Sequence, residues 1–137
     1  MIECAFCKII SGQLSSIKIF ENEKVLAFAP LRKDIIAKGH MLVIPKRHYE
    51  NIYDILPKEL NNIMGTIKII SQKLKERYGA EGINILHASG RIAQQSVLHF
   101  HMHLIPRYKN DGLDAWPKTG YIEADFPQTY KRLCKLF

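Results

Sequence analysis

Cysteine is scarce in this chain, with three among 137 residues, two of them together in "CAFC" at Cys4 and Cys7. So few and so clustered, they exclude the disulfide framework of a small secreted domain and point to reduced thiols or thiolate ligands. Long apolar runs are missing too, none approaching the roughly 20 residues of a membrane span. The first residues carry no basic stretch followed by an apolar signal segment, so a cytoplasmic protein with no membrane partner is expected. There is no internal repeat, low-complexity tract or Gly/Ser linker, which leaves residues 1–137 as one expected domain. Acidic residues are outnumbered, 13 against 20 Lys and Arg, and the net charge of +7 favours anionic partners. The basic residues are scattered from Lys8 to Lys135 without a block or an aromatic-interleaved stripe. That pattern disfavours nucleic acid as a partner.

With 47% hydrophobic residues, the chain can bury a proper core. "SSIKIFENEKVLAFAP" alternates Ile17 and Ile19, turns at "ENEK" and resumes at Val25–Ala29, which predicts a β-hairpin. "HMLVIPK" predicts a further strand stopped by Pro45. From Pro57 to Tyr78, Leu60, Ile63, Met64, Ile67, Ile70 and Leu74 recur at helical spacing, with Pro57 suited to the first turn and Gly79 to the C-terminal cap. "GINILHA" and "VLHFHMHLIP" read as neighbouring antiparallel strands. In "DFPQTYKRLCKLF", Asp125 and Gln128 have capping-box spacing ahead of a short terminal helix, which gives Cys134 a packing role. Hairpin strands plus one long helix, without βαβ alternation, predict an α+β fold on an antiparallel sheet.

Within "QQSVLHFHMHLIPR", His99, His101 and His103 alternate with Phe100, Met102 and Leu104. On a strand the three imidazoles share one face, and the apolar residues take the other. Neighbouring histidine Cα atoms would stand about 6.7 Å apart and the outer two about 13 Å, so one metal takes two rings but hardly three. A purely structural role would demand a hydrogen-bond partner for each ring with no packing gain. A catalytic reading makes His101 a nucleophile toward phosphorus: a neutral imidazole whose Nδ1 is held by a backbone carbonyl presents Nε2 for attack. Gln94, Gln95, the Ser96 hydroxyl and nearby amides could then receive the phosphoryl charge.

The stretch "QSVLHFHMHLIPR" resembles the His-x-His-x-His signature of the histidine triad (HIT) family of nucleotide hydrolases and transferases. "CAFCKIISGQ", "KVLAF" and "KGHMLVIPKRH" occur in the order and approximate spacing of its bacterial members, so the likeness covers residues 4–107 and leaves the tail unassigned. The resemblance implies a HIT-like fold with one long helix and short terminal helices. It implies that His101 attacks the α-phosphate to give a nucleotidyl-histidine that water hydrolyses, with His103 contacting phosphate or aiding proton transfer. Ser96 and Gln95 match positions that hold phosphate oxygens or the leaving group, and His40 matches a histidine beside the site. Implied substrates are nucleoside phosphoramidates and dinucleoside polyphosphates; the implied partners are a purine nucleotide and a second copy of the chain, paired through the long helix and a sheet edge. The resemblance also implies that no metal takes part in the nucleophilic step.

Cys4 and Cys7 have the spacing of half a zinc site, and a structural site needs four ligands. His48 and His99 are the candidates for the other two, and zinc-containing bacterial members of the resembled family use matching positions. A closed Cys2His2 shell would support folding without activating water. A thioredoxin-like pair would need a preceding strand, which a motif at position 4 lacks; unliganded packing cysteines are the other alternative.

The chain also departs from the family pattern. The segment "AFAPLRKDIIAKGH" is slightly longer than in eukaryotic members and has no acidic residue where a ribose-binding Asp is usual, leaving Asp34 as a substitute. Ala88 stands where relatives have Asn or Gln, so His87 or Ser89 would supply the donor, and Gln94 replaces a frequent Gly, a residue that permits positive φ. Such an altered cradle also suits a zinc-stabilised module that binds or senses nucleotides without turnover. Trp116, alone in the tail, reads as packing or as a residue reaching a partner subunit.

Overall fold

The structure, a computed structural model, describes residues 3–118 and 120–137. Five strands form one antiparallel sheet in the order β1 (Lys18–Glu21), β2 (Val25–Phe28), β3 (Met41–Pro45), β5 (Met102–Arg107), β4 (Gly82–Leu86). Among the described residues three α-helices accompany it: α1 (Ala5–Ile10), α2 (Pro57–Tyr78) and α3 (Phe126–Leu133). This is the α+β architecture expected from the hairpin and the lone long helix.

β2 and β3 are buried along their whole length, because both sheet faces are covered. Alternation sorts their side chains. Val25, Ala27, Met41 and Val43 join Ile63, Ile67, Ile70 and Leu74 of α2 in the larger core. Leu26, Phe28, Leu42 and Ile44 face the other way and pack with Cys4 and Phe6 of the N-terminal segment. α2 has the bounds its periodicity predicts, with Pro57 in its first turn and Gly79 at its end at φ 68°, in the left-handed region that closes a helix with least strain on glycine. Met64, however, is exposed although it falls within the helical series, since it lies off the stripe that meets the sheet.

The last strand begins later than "VLHFHMHLIP" suggests. Regular pairing starts at Met102, and before it the Phe100 amide donates to the Tyr49 carbonyl at 2.7 Å, outside the sheet. The alternation nonetheless holds: Phe100 and Leu104 are in the α2-side core, with Met102 packed on it. His101 and His103 are therefore carried onto the α1 side. In the tail, α3 forms where expected, but Asp125 makes no side-chain cap, its φ of −113° and ψ of 38° being outside the extended conformation usual at that position. Cys134 is exposed and takes no part in the core, and Trp116 is exposed as well.

Candidate active site and metal centre

A cavity of about 710 Å³ opens on the α1 side of the sheet. His101, His103, His40 and Ser96 line it, together with an apolar wall that includes Phe6, Ile9, Leu14, Ile17 and Phe28. Arg32 and Asp34, from a short 3-10 turn (Arg32–Asp34) in the segment between β2 and β3, are the only lining residues charged at neutral pH among the described residues. Ile17 is thus exposed because it walls this cavity, whereas alternation alone would have assigned it to packing.

Each histidine has its tautomer set by a partner. The His101 ring is buried and its Nδ1 donates to the His99 carbonyl at 2.7 Å, which leaves the Nε2 lone pair free. Burial lowers the pKa of His101 against the opposing pull of that carbonyl, so the ring is held neutral. The Ile36 amide donates to His40 Nδ1 at 3.3 Å, so the His40 proton is on Nε2, which donates to His103 Nδ1 at 2.9 Å. His103 must then carry its own proton on Nε2. Burial, with His101, His40 and His87 nearby, pushes His103 down to about 4, and burial also lowers His40 although Asp34 opposes it. The result is a neutral acceptor nitrogen on His101 and a neutral N–H donor on His103, with ring centroids 5.2 Å apart.

The turn before His40 requires glycine. Gly39 has φ 83°, and a Cβ there would approach Pro106 Cγ to 3.2 Å. The histidine is thereby delivered to β3 next to β5, where Leu42 pairs with His103.

The other four candidate residues are not brought into this cavity lining. His87 stacks on Phe100 with centroids 4.3 Å apart, donates from Nδ1 to the His101 carbonyl at 2.8 Å, and meets the Ser89 hydroxyl at 2.6 Å through Nε2. Ser89 Oγ also accepts from the Ile52 amide at 2.9 Å. Gln95 is buried: its carbonyl accepts from the Gly90 amide at 2.7 Å, and its amide group donates to the carbonyls of Glu50 at 2.6 Å and Val97 at 3.0 Å. Gln94 is exposed at φ 71°, adopting the left-handed backbone that explains why glycine suits its position. These residues build the loop that presents Ser96.

Beside this cavity, Cys4, Cys7, His48 and His99 converge with ligand atoms all within 4.8 Å of one another, a group that could hold a metal ion. Cys4 Sγ is 3.5 Å and Cys7 Sγ 3.6 Å from His99 Nδ1, Cys7 Sγ is 3.4 Å from His48 Nδ1, and the two Nδ1 atoms are 3.2 Å apart. A tetrahedron built on metal–sulfur and metal–nitrogen bonds of about 2.3 and 2.0–2.1 Å has S···N edges of about 3.5 Å and an N···N edge of about 3.3 Å. These four donor–donor distances therefore already match the edges of such a centre. His99 Nε2 donates to the Pro45 carbonyl at 2.9 Å, so its lone pair is on Nδ1, toward the cluster. Burial pushes His99 down to about 4, while burial and the adjoining Cys4 sulfur push the Cys7 thiol up to about 11. A divalent cation would reverse the latter by stabilising the thiolate.

Sequence reasoning missed Phe6, the apolar wall and the Pro45 carbonyl, and anticipated a carbonyl on His101 Nδ1 without identifying it as that of His99. Phe6 had a signal, an aromatic inside the CxxC segment; the Pro45 carbonyl had none.

Comparison with known proteins agrees with this geometry. Residues 11–110 match a family model described as HIT domain. The chain is 43% identical over 117 residues to "Protein hit" of Bacillus subtilis, covering 85% of this chain and 79% of that protein. It is 39% identical over 108 residues to an adenosine 5'-monophosphoramidase of Candida albicans, covering 76% and 70%. Among solved structures, a HIT family protein from Bacillus anthracis superposes with a TM-score of 0.81 at 36% identity, covering 98% of this chain and 97% of that one. A Zn-bound histidine triad family protein from Mycobacterium smegmatis gives 0.77 at 33% identity, covering 86% and 84%.

Proposed function

The chain belongs to the HIT domain family, and from that premise we propose that it is a nucleotide hydrolase that cleaves at the α-phosphate of nucleoside phosphoramidates or dinucleoside polyphosphates through a nucleotidyl-His101 intermediate. The observation that carries this reading is the 2.7 Å bond from His101 Nδ1 to the His99 carbonyl, which leaves a neutral Nε2 facing an open cavity. Nε2 attacks phosphorus, the bond to the leaving group breaks, and water then attacks the same phosphorus to release the mononucleotide and restore the imidazole. His103 Nε2–H donates to a phosphoryl oxygen, its orientation held by His40, and the Ser96 hydroxyl serves the leaving-group side. Gln95 and Gln94 shape the loop that carries Ser96, and His87 and Ser89 hold the backbone of His101 from behind. The apolar wall suits a purine base, and Asp34 is the one carboxylate among the lining residues available to ribose hydroxyls. The name of the Candida albicans relative favours phosphoramidates.

We further propose that the four-ligand cluster holds zinc. Its Cys2His2 shell is closed, so zinc there supports the fold and orients His99, and it offers no open position to substrate or water in the chemistry at His101. A homodimer is supported by the exposed Met64 and Ile69 of α2 and Ile85 of the edge strand β4.

Incubation with adenosine 5'-phosphoramidate tests the activity directly. Release of AMP above the buffer rate is expected. A nucleotide that binds with no release above buffer would instead establish the binding or sensing module.

A further inference from the structure

We propose that Phe6 is a positioning residue for His101, and that the metal cluster controls it: with its ligand sulfurs fixed on either side, the Cys4–Cys7 segment presses the Phe6 ring against the nucleophilic imidazole. The proposal rests on the catalytic reading only in calling His101 a nucleophile.

Phe6 is the one buried residue of α1. Its ring stands edge-to-face with three others, at centroid distances of 5.3 Å from Phe28, 5.8 Å from His99 and 5.4 Å from His101, the last at 88°. Cys4 lies two residues before it and Cys7 one residue after it, and Cys4 Sγ also accepts from the Cys7 amide at 3.5 Å, capping the helix. Six residues cannot sustain a helix on hydrogen bonds alone. Among the described residues, the only hydrogen-bond contacts from residues 3–10 to distant parts of the chain are those of the two sulfurs with His48 and His99. Apolar packing of Phe6, Ile9 and Ile10 also holds α1 to the sheet, but such contact has no preferred direction, so the sulfurs set where along the sheet the segment is pinned.

His99 makes the second connection. Its ring belongs to the cluster while its carbonyl takes the His101 Nδ1 proton. That bond fixes which edge of the imidazole faces the cavity, and Phe6 against the ring limits its tilt about the bond. With the cluster metal-free, the sulfurs lose their anchor, Phe6 is released, and Nε2 wanders from its line of attack. A displacement of about 1 Å can cost on the order of a hundredfold in rate.

The test reads solvent exchange of the His101 Nδ1–H in the full chain, with imidazoles labelled by 15N and one zinc bound. The His87 Nδ1–H, which donates to the His101 carbonyl from the opposite sheet face, is the internal control. Phe6→Leu, Phe6→Val and Phe6→Ala are compared, each read where it retains one zinc per chain and the wild-type helical signal. Exchange at His101 should rise stepwise with lost side-chain volume to at least about tenfold, Phe6→Leu staying nearest wild type, while His87 is unmoved. Chelating the metal from wild type should speed His101 as Phe6→Ala does. Equal exchange at His101 across the series, or a rise shared equally by His87, would overturn the proposal. If exchange follows the expected pattern but wild type releases no AMP from the phosphoramidate, the catalytic reading fails and the positioning role stands.

Discussion

At the scale of single residues, the site is defined by where protons reside. Three imidazoles with the same side chain are given different tasks by their partners: His99 donates from Nε2 to Pro45 and directs Nδ1 to the cluster, while His101 donates from Nδ1 to His99 and directs Nε2 to the cavity. Alternation along "HFHMH" made the shared face legible in the sequence, and CxxC with its two histidines made the cluster legible. The His101 tautomer was legible as a contact with some backbone carbonyl; those of His99, His40 and His103 were not, because they depend on the Pro45 carbonyl and on an amide at Ile36 that any residue but proline would supply. His103 gives a pH prediction. Its folded-state pKa of about 4 is below the ordinary value of 6.5, so the unfolded chain binds the extra proton between those values. Its contribution to stability is complete above pH 6.5 and is lost as pH falls toward 4. His103→Gln lacks this titration, so urea unfolding at pH 7.5 and pH 5 should show the variant gaining stability relative to wild type at the lower pH. A constant difference would contradict the buried, neutral assignment.

Among the elements, α2 was the most legible, because a repeated apolar stripe bounded by Pro57 and Gly79 leaves little choice of ends. At φ 68° Gly79 occupies backbone that a Cβ strains. Gly79→Ala should cost about 1 kcal/mol in denaturant unfolding and leave nucleotide turnover unchanged, since the position is not among the residues that line the cavity. A larger loss accompanied by reduced turnover would show that α2 does more than support the sheet. The start of β5 was misread for a physical reason: His99 and Phe100 direct their polar groups to the cluster, to Pro45 and to Tyr49, and these replace the ladder that a continuous strand would make. The failure of Cys134 to pack has a similar cause. All eight residues of α3 lack burial, so its helical spacing meets no core in this chain.

For the whole molecule, two proposed interactions lie beyond the isolated fold. The first is the metal, which would join the N-terminal segment, the end of β3 and the approach to β5 at one point. The wild-type chain should carry one zinc, chelation should lower its Tm, and Cys7→Ser should abolish stoichiometric binding in elemental analysis. Zinc still bound one per chain in that variant would remove the four-ligand assignment. The second is pairing with another copy. Sedimentation should give twice the chain mass of 15.8 kDa, and Ile69→Lys on the exposed face of α2 should shift it toward the monomer. No helix among the described residues is long and apolar enough to cross a membrane.

The most direct test of the account is acid-free mass spectrometry of the protein quenched during turnover of adenosine 5'-phosphoramidate. A single adenylyl group on His101, absent from His101→Ala along with a loss of turnover on the order of a thousandfold or more, is the predicted result. An adduct on another residue, or turnover at the wild-type rate in His101→Ala, would contradict it.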